Sequence, residues 1–249
     1  MKNALSSGLR QAARGTILTA LLTCLVLGVT FVDPVYRTWR DGGYFIRGFS
    51  TELMTTALQS ETLTAFLPIL AVLPFGGSFV DDVKSKFARF FLIRSSYGTY
   101  AVSRSIVAFF TGGLAVLAGA LVTWGAAAVV FWPMERTVEG LPPADTEYLW
   151  QILLLLFFNG GLWSLAGLTM STFMESKYIA YASPFILYYL LVILCERYFP
   201  DLFLLYPVNW LEPEIWPFGA GGAVLFLGEL AVVLGIVFSF RTVRRLKTL

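Results

Sequence analysis

The side chains that could do chemistry are few, and most lie in one polar segment between two apolar runs. Asp81 and Asp82 open this segment. At the start of a short helix, their carboxylates would accept hydrogen bonds from free amides and complement the helix dipole. The stretch that follows is basic and aromatic, with Lys84, Lys86, Phe87, Arg89, Phe90 and Phe91. Two interpretations are open: the stretch lies on anionic lipid, or it docks as a short helix in a groove of a soluble partner.

Two other polar side chains lie in the middle of apolar runs. Glu229 is flanked by LFLG and LAVV, and an ionisable group at that depth is a candidate for function. It could hold a proton, bind a cationic group, pair across a subunit interface, or act as a neutral structural acid. Asn159, beside Gly160 and Gly161, is typical of a hydrogen bond between membrane helices. Both residues are therefore candidates for a substrate path.

The residue types argue against catalysis within this chain. The sequence has no histidine, which removes histidine metal ligands and histidine general bases. Asp81 and Asp82 are adjacent, so they do not face each other on a helix as a catalytic carboxylate pair would. A Ser–Lys dyad would require a lysine within the membrane. The G-x-x-x-x-G-K-[ST] phosphate loop is also absent from the sequence, so any ATP must be bound by another subunit.

Long apolar runs must position these residues. The chain is 57% hydrophobic and 14% charged, with a mean hydropathy of +0.72, and a soluble domain of this size could not bury so much apolar surface. A run of about 20 apolar residues crosses the hydrocarbon core as a helix. The sequence predicts one all-α transmembrane domain over residues 1–249. Its six predicted spans cover residues 15–33, 61–80, 103–132, 149–173, 178–196 and 218–240.

Lysine and arginine are unevenly distributed over the ends of these runs. Of the 18 Lys and Arg residues, thirteen lie at the N-terminus, the C-terminus and the second and fourth connections, and five lie elsewhere. The positive-inside rule places the larger set in the cytoplasm. The sequence therefore predicts a multi-pass protein of the cell membrane with both termini cytoplasmic.

Two segments outside the runs are unusual. Residues 2–14 place apolar and basic side chains on different faces, which indicates either a helix on the inner membrane surface or a basic anchor tail. Residues 196–218 are rich in aromatic residues and are broken by four prolines. This second segment is expected to dip into the outer leaflet as short helices, or to anchor the loop as an interfacial aromatic belt.

The polar segment also carries a family resemblance. Asp81 and Asp82 end the second run, Arg94 precedes Ser95-Ser96-Tyr97, Tyr100 follows, and Arg104 opens the third run. This order resembles the membrane subunit of type-2 ATP-binding cassette (ABC) exporters. Six spans, cytoplasmic ends, a basic N-terminal surface helix and a broken apolar segment before the last span are similar to that family too.

The resemblance implies a permease subunit in a bacterial membrane that moves an amphipathic peptide, lipid or drug-like molecule. The implied partners are a cytoplasmic ATPase subunit that binds ATP and Mg²⁺, a second permease subunit in a homodimer or heterodimer, and membrane lipid, with no nucleic acid. The elbow around residues 81–96 would be the coupling helix. The implied coupling residues are Asp81, Asp82, Lys84, Phe87, Arg89, Phe90, Phe91, Arg94, Tyr100 and Arg104.

The resemblance further implies that residues 197–217 form a re-entrant outer hairpin that closes the path. Its implied gate residues are Pro200, Pro207, Trp210, Glu212 and Trp216. Two other functions are open. The chain could be a non-transporting immunity, scaffold or sensor protein, or a proton-coupled secondary transporter that uses Glu229, although its two halves show no clear inverted repeat.

Overall fold

The computed structural model describes residues 2–40, 45–87, 96–136, 144–174 and 176–247, with side chains from Ser6 onward. Within these ranges the chain forms eight α-helices and two short strands. The helices are α1 (Lys2–Arg40), α2 (Phe49–Leu58), α3 (Glu61–Val72), α4 (Ser78–Lys84), α5 (Tyr97–Phe131), α6 (Thr146–Ser171), α7 (Lys177–Arg197) and α8 (Ala220–Leu246). The strands β1 (Phe45–Ile46) and β2 (Glu135–Arg136) pair in parallel.

Five of the described helices, α1, α5, α6, α7 and α8, are long and apolar enough to cross a membrane. Their most apolar windows have mean hydropathies from 1.7 to 2.4. A helix satisfies its own backbone polar groups, which lipid cannot do. The predicted class, an all-α multi-pass membrane protein, is therefore confirmed.

Helix α6 lies at the centre of the bundle. In its most apolar window 83% of the residues are buried, against 17% to 33% in the other four long helices. It packs against α3, α5, α7 and α8. Small residues allow close approach at the α5–α6 contact: a β-carbon added to Gly113 would lie 2.5 Å from the Phe157 carbonyl oxygen.

The predicted second span, residues 61–80, is not one helix. Helix α3 begins after Ser60, whose Oγ accepts a hydrogen bond from the Leu63 amide at 3.2 Å, and it ends at Val72. Pro74 has no backbone N–H to continue the helix, and turns connect α3 to α4. The continuous apolar run therefore hides a break that its hydropathy does not reveal.

Helix α2 was not predicted. It begins after Gly48, whose φ of 88° favours glycine, and whose amide donates to Glu135 Oε2 at 2.9 Å. Its buried residues include Leu53, Met54 and Leu58, which belong to the main hydrophobic core. The helix is too short to be recognised as a membrane span, and its inward face depends on contacts with α1, α5 and α6.

The prediction of a separate N-terminal surface helix is wrong. Residues 2–14 and the first predicted span form one continuous helix, α1, that extends from Lys2 to Arg40. No proline interrupts residues 2–33, and the Ala, Leu, Gln and Arg residues there favour helix. This part of α1 packs on protein, because a β-carbon added to Gly8 would lie 3.1 Å from Val107, and one on Gly15 would lie 2.6 Å from Pro74 Cα.

The other predicted spans differ from the helices at their ends. Helix α5 begins before the predicted residue 103 because Ser96 Oγ accepts a hydrogen bond from the Thr99 amide at 3.2 Å. Helix α6 likewise begins before residue 149, where Asp145 Oδ1 accepts from the Glu147 amide at 2.9 Å. Polar caps thus extend the helices beyond their apolar parts.

Both terminal helices have their chain ends at the same end of the bundle. Near the start of α1, Gln11 accepts a hydrogen bond from Arg104 at 3.3 Å. Near the end of α8, Arg245 donates to the carbonyl oxygen of Thr172, just beyond α6, at 2.6 Å. Helix α4 and the start of α5 lie at this end, whereas β1 and β2 lie at the other.

Candidate functional site

Asp82, Tyr100 and Arg104 form a buried polar cluster where α4 meets the start of α5. Tyr100 Oη donates to Asp82 Oδ2 at 2.6 Å, and Arg104 Nη2 lies 2.5 Å from the same oxygen. Each of the three residues is only 1% to 3% exposed. Tyr100 and Arg104 are four residues apart, so they share one face of α5. The structure thus brings together three of the residues that carry the family resemblance.

Aromatic rings enclose the Arg104 guanidinium. Its Cζ lies 5.4 Å from the ring centroid of Phe75, 5.5 Å from that of Tyr100 and 5.7 Å from that of Phe87. Such contacts suit the planar, weakly hydrated arginine cation. The Asp82 carboxyl is removed from water, and its partners in the structure are the Arg104 guanidinium and the Tyr100 hydroxyl. Arg104 is therefore the group that compensates a carboxylate removed from water.

Asp81 points to a different helix from its neighbour. Its Oδ1 lies 2.5 Å from Lys177 Nζ, at the first residue of α7, and both side chains are about two-fifths exposed. Asp81 lies in the first turn of α4, as expected of an acid at a helix start, but the expectation that Asp81 and Asp82 cap a helix is wrong for α4, which begins after Gly77 with no side-chain cap. The two adjacent carboxylates instead join α4 to α7 and to α5.

The remaining predicted coupling residues follow α4 or precede α5. Lys84 ends α4 and is exposed, while the Phe87 ring is 38% exposed and lies near Arg104. The others lie outside the described residues: Arg89, Phe90, Phe91 and Arg94.

An open cleft of about 650 Å³ adjoins the polar cluster. Its walls come from α1, α4 and α5, and they include Ser7, Gln11, Lys84 and Phe87. A volume of this order is typical of ligand sites. Within the described ranges, no three His, Cys, Asp or Glu side chains are grouped to hold a metal ion.

The proline-rich segment before α8 forms three short 3₁₀ helices, Phe203–Leu205, Pro207–Leu211 and Pro213–Ile215. Trp210 and Trp216 are 2% and 5% exposed, and the Trp210 ring stacks on Trp163 of α6 at 5.6 Å. Their indole N–H groups donate to the carbonyl oxygens of Leu204 and Asn209, both at 2.9 Å. The segment therefore packs onto the central helix instead of lying freely outside the bundle.

The predicted gate residues do not share one environment. Pro207, Trp210 and Trp216 are buried, Glu212 is half-buried and Pro200 is exposed. Nearby, Tyr206 Oη donates to Glu196 Oε1 at 3.0 Å. The pKa of Tyr206 is raised to about 12. Burial is the largest cause, and this hydrogen bond to a carboxylate is the second. The tyrosine therefore acts as a hydrogen-bond donor at neutral pH.

The two polar residues predicted within the membrane have opposite environments. Asn159 is 2% exposed in α6, and its Oδ1 has no hydrogen-bond partner among the described residues. Glu229 is exposed on the outer surface of α8. One of the two therefore lies inside the bundle and the other on its surface.

The unpaired amide of Asn159 leads to a stability prediction. We expect Asn159→Leu to leave the thermal stability unchanged or to raise it, because leucine has a similar size and needs no buried hydrogen bond. The control is Thr19→Val, which removes a buried donor to the Leu70 carbonyl oxygen at 3.1 Å. Thermal unfolding in detergent should rank Thr19→Val below Asn159→Leu. The opposite order would contradict this account.

Sequence reasoning missed Gln11, which bonds to Arg104 of the cluster, and Lys177, which pairs with the neighbouring Asp81. Neither stands out by type, since glutamine is common in helices and Lys177 was counted only as a positive charge beside a span. Their roles depend on contacts between segments far apart in the chain. A scan against protein-family models and a search of curated proteins found no match to this chain.

Proposed function

We propose that this chain is the permease subunit of an ATP-driven ABC exporter in a bacterial membrane, moving an amphipathic substrate. A separate cytoplasmic ATPase subunit binds ATP and Mg²⁺, and a second permease subunit completes the translocation path. The observation that carries the proposal is the attachment of α4 to two long helices. Asp82 joins α4 to α5, and Asp81 joins it to α7.

This attachment suits a coupling element. A rigid connection transmits displacement only if its contacts persist while it moves, and a buried ion pair with a shared tyrosine hydrogen bond is costly to break. A push on α4 would therefore move the start of α5 through the contacts of Asp82 with Tyr100 and Arg104. The half-exposed Asp81–Lys177 pair is weaker, and it would allow α7 to shift relative to α4.

The topology proposed with this function has six crossings. In addition to the five long helices, α3 and α4 together make the second crossing, broken at residues 73–77. The shared location of Gln11 and Arg245 at one end of the bundle supports an even number of crossings. That end carries most of the lysines and arginines, so both termini are cytoplasmic in this proposal.

The outer segment would form the re-entrant hairpin of the exporter. Its support is the packing of Trp210 against Trp163 of the central helix. A segment seated between the spans on the side away from α4 is suited to close a path from that side. Opening would then require these aromatic contacts to separate.

Co-purification tests the proposed function. We expect the tagged chain, extracted in mild detergent from its native membrane, to bring down a stoichiometric subunit with a phosphate loop and ATPase activity. Phe87→Ala should alter the ATPase rate of the reconstituted complex, because Phe87 leads from α4 into the elbow and contacts Arg104. The matched control is Phe66→Ala, which removes an exposed ring from α3 at a distance from the elbow.

The outcomes separate the functions. A pure preparation with no ATPase subunit would contradict the exporter and favour an immunity, scaffold or sensor protein. An associated ATPase with equal rates in the wild type and in both phenylalanine variants would leave the exporter in place, but it would overturn the coupling role of the elbow.

A further inference from the structure

A lipid-facing groove separates α5 from α8. Its volume is about 750 Å³, and its walls include four aromatic residues, Phe109, Phe110, Phe158 and Phe240. The Phe109 ring centroid lies 5.7 Å from that of Phe110 and 5.8 Å from that of Phe158. Gly228 and Gly235 of α8 also line the groove, and β-carbons added to them would meet no atom within 4 Å. The groove is therefore open at its glycines and bounded by aromatic rings.

Glu229 lies on the same helix, at the side of this groove. It directly follows Gly228, and Val232, one turn further along α8, is another lining residue. Residues three apart on a helix are neighbours on its surface. Glu229 is exposed near the middle of α8, and an ion pair with it is not found among the described residues. A carboxylate in hydrocarbon is costly unless it has a counter-ion or a proton.

The combination of aromatic walls and one acid favours a particular ligand class. Aromatic faces attract organic cations through the ring quadrupole, and a carboxylate supplies the opposite charge. None of the groove-lining residues is charged, and the polar ones are Ser105 and Ser239. The site thus combines apolar, aromatic walls with one carboxylate beside them. This combination complements a lipophilic cation better than a neutral lipid.

We propose that the groove between α5 and α8 binds a lipophilic organic cation from within the bilayer, with Glu229 as its counter-ion. The cation lies among the phenylalanine rings and above the two glycines. It replaces the acyl chains that otherwise fill a lipid-facing groove. This site does not depend on the proposed exporter function, because binding requires neither the ATPase nor transport.

Binding can be measured with tetraphenylphosphonium on the purified chain in nanodiscs of neutral phosphatidylcholine, with empty nanodiscs as the blank. We expect saturable binding by equilibrium dialysis. Glu229→Gln removes the counter-ion and Gly235→Leu fills the groove, so each should weaken binding at least about tenfold. Tetraphenylborate, which has a similar shape and the opposite charge, should not compete.

Two control variants are matched to these changes. Glu214→Gln removes an exposed acid outside the groove, and Gly221→Leu adds the same side chain to α8 at an open glycine that does not line it. Both should bind like the wild type. The proposal is overturned by an absence of saturable binding, by equal competition from tetraphenylborate, or by unchanged binding in either test variant.

A second copy of the chain is the other candidate occupant. The molecular mass of the wild type and of each variant, in nanodiscs or in detergent, shows whether a second copy occupies the groove. A wild-type dimer that becomes a monomer in Gly235→Leu, with no cation binding in either, would assign the groove to a subunit interface and overturn the proposal.

Discussion

Arg104→Met should be the most destabilising of the single substitutions considered, by about 3–5 kcal/mol in the free energy of unfolding. The change leaves the Asp82 carboxylate buried without the cation that lies 2.5 Å from it. It also removes the guanidinium from the rings of Phe75 and Tyr100. Chemical unfolding of the purified protein in mixed micelles, followed by tryptophan fluorescence, measures the loss.

Two controls show whether the loss comes from the buried charge. Arg37→Met breaks an Asp33–Arg37 pair of 2.8 Å whose side chains are 65% and 73% exposed, so it should change stability little. The double variant Asp82→Asn/Arg104→Met removes both buried charges and retains an acceptor for the Tyr100 hydroxyl. It should recover most of the loss. A double variant as unstable as the single one would show that Arg104 acts mainly through packing.

Gly112→Ala should destabilise the bundle by about 1–3 kcal/mol. A β-carbon at this position would collide with Ser164 Cβ of α6 and lie 2.9 Å from the carbonyl oxygen of Ala71 in α3. Ser164 and Ala71 both belong to helices that are packed against other helices. Neither residue can therefore move away from the new β-carbon without loss of contacts among α3, α5 and α6. The same unfolding measurement detects the change.

Gly125→Ala is the matched control, because Gly125 lies on the same helix and its added β-carbon would meet no atom within 4 Å. Alanine favours helix over glycine by roughly 1 kcal/mol, so this variant should be unchanged or more stable. Equal stability of the two variants would mean that α5 and α6 do not approach as closely as the structure describes.

The sequence by itself determined the membrane class and the approximate positions of the five long helices. A membrane span is predicted from the summed hydrophobicity of about 20 residues, so no single residue decides the prediction. In a protein this apolar, a run of that length has few possible structures other than a membrane-spanning helix. Asp82, Tyr100 and Arg104 were singled out by the order of residues that carries the family resemblance. Their mutual contact was not predictable, since Asp82 and Tyr100 are 18 positions apart in the chain and belong to different helices.

Only the tertiary structure decided where apolar runs break and which way polar side chains face. Hydropathy averages over a window, so it could not show that α3 ends at Val72 or that α1 continues from Lys2. Asp81 and Asp82 have the same chemistry, yet α4 turns one toward Lys177 and the other toward Arg104. The same holds for Glu229. Its position mid-way along an apolar run was evident from the sequence, but its outward direction depends on which face of α8 packs against α6. Such directions are set by contacts between distant segments, and these contacts leave no periodic signal in one sequence.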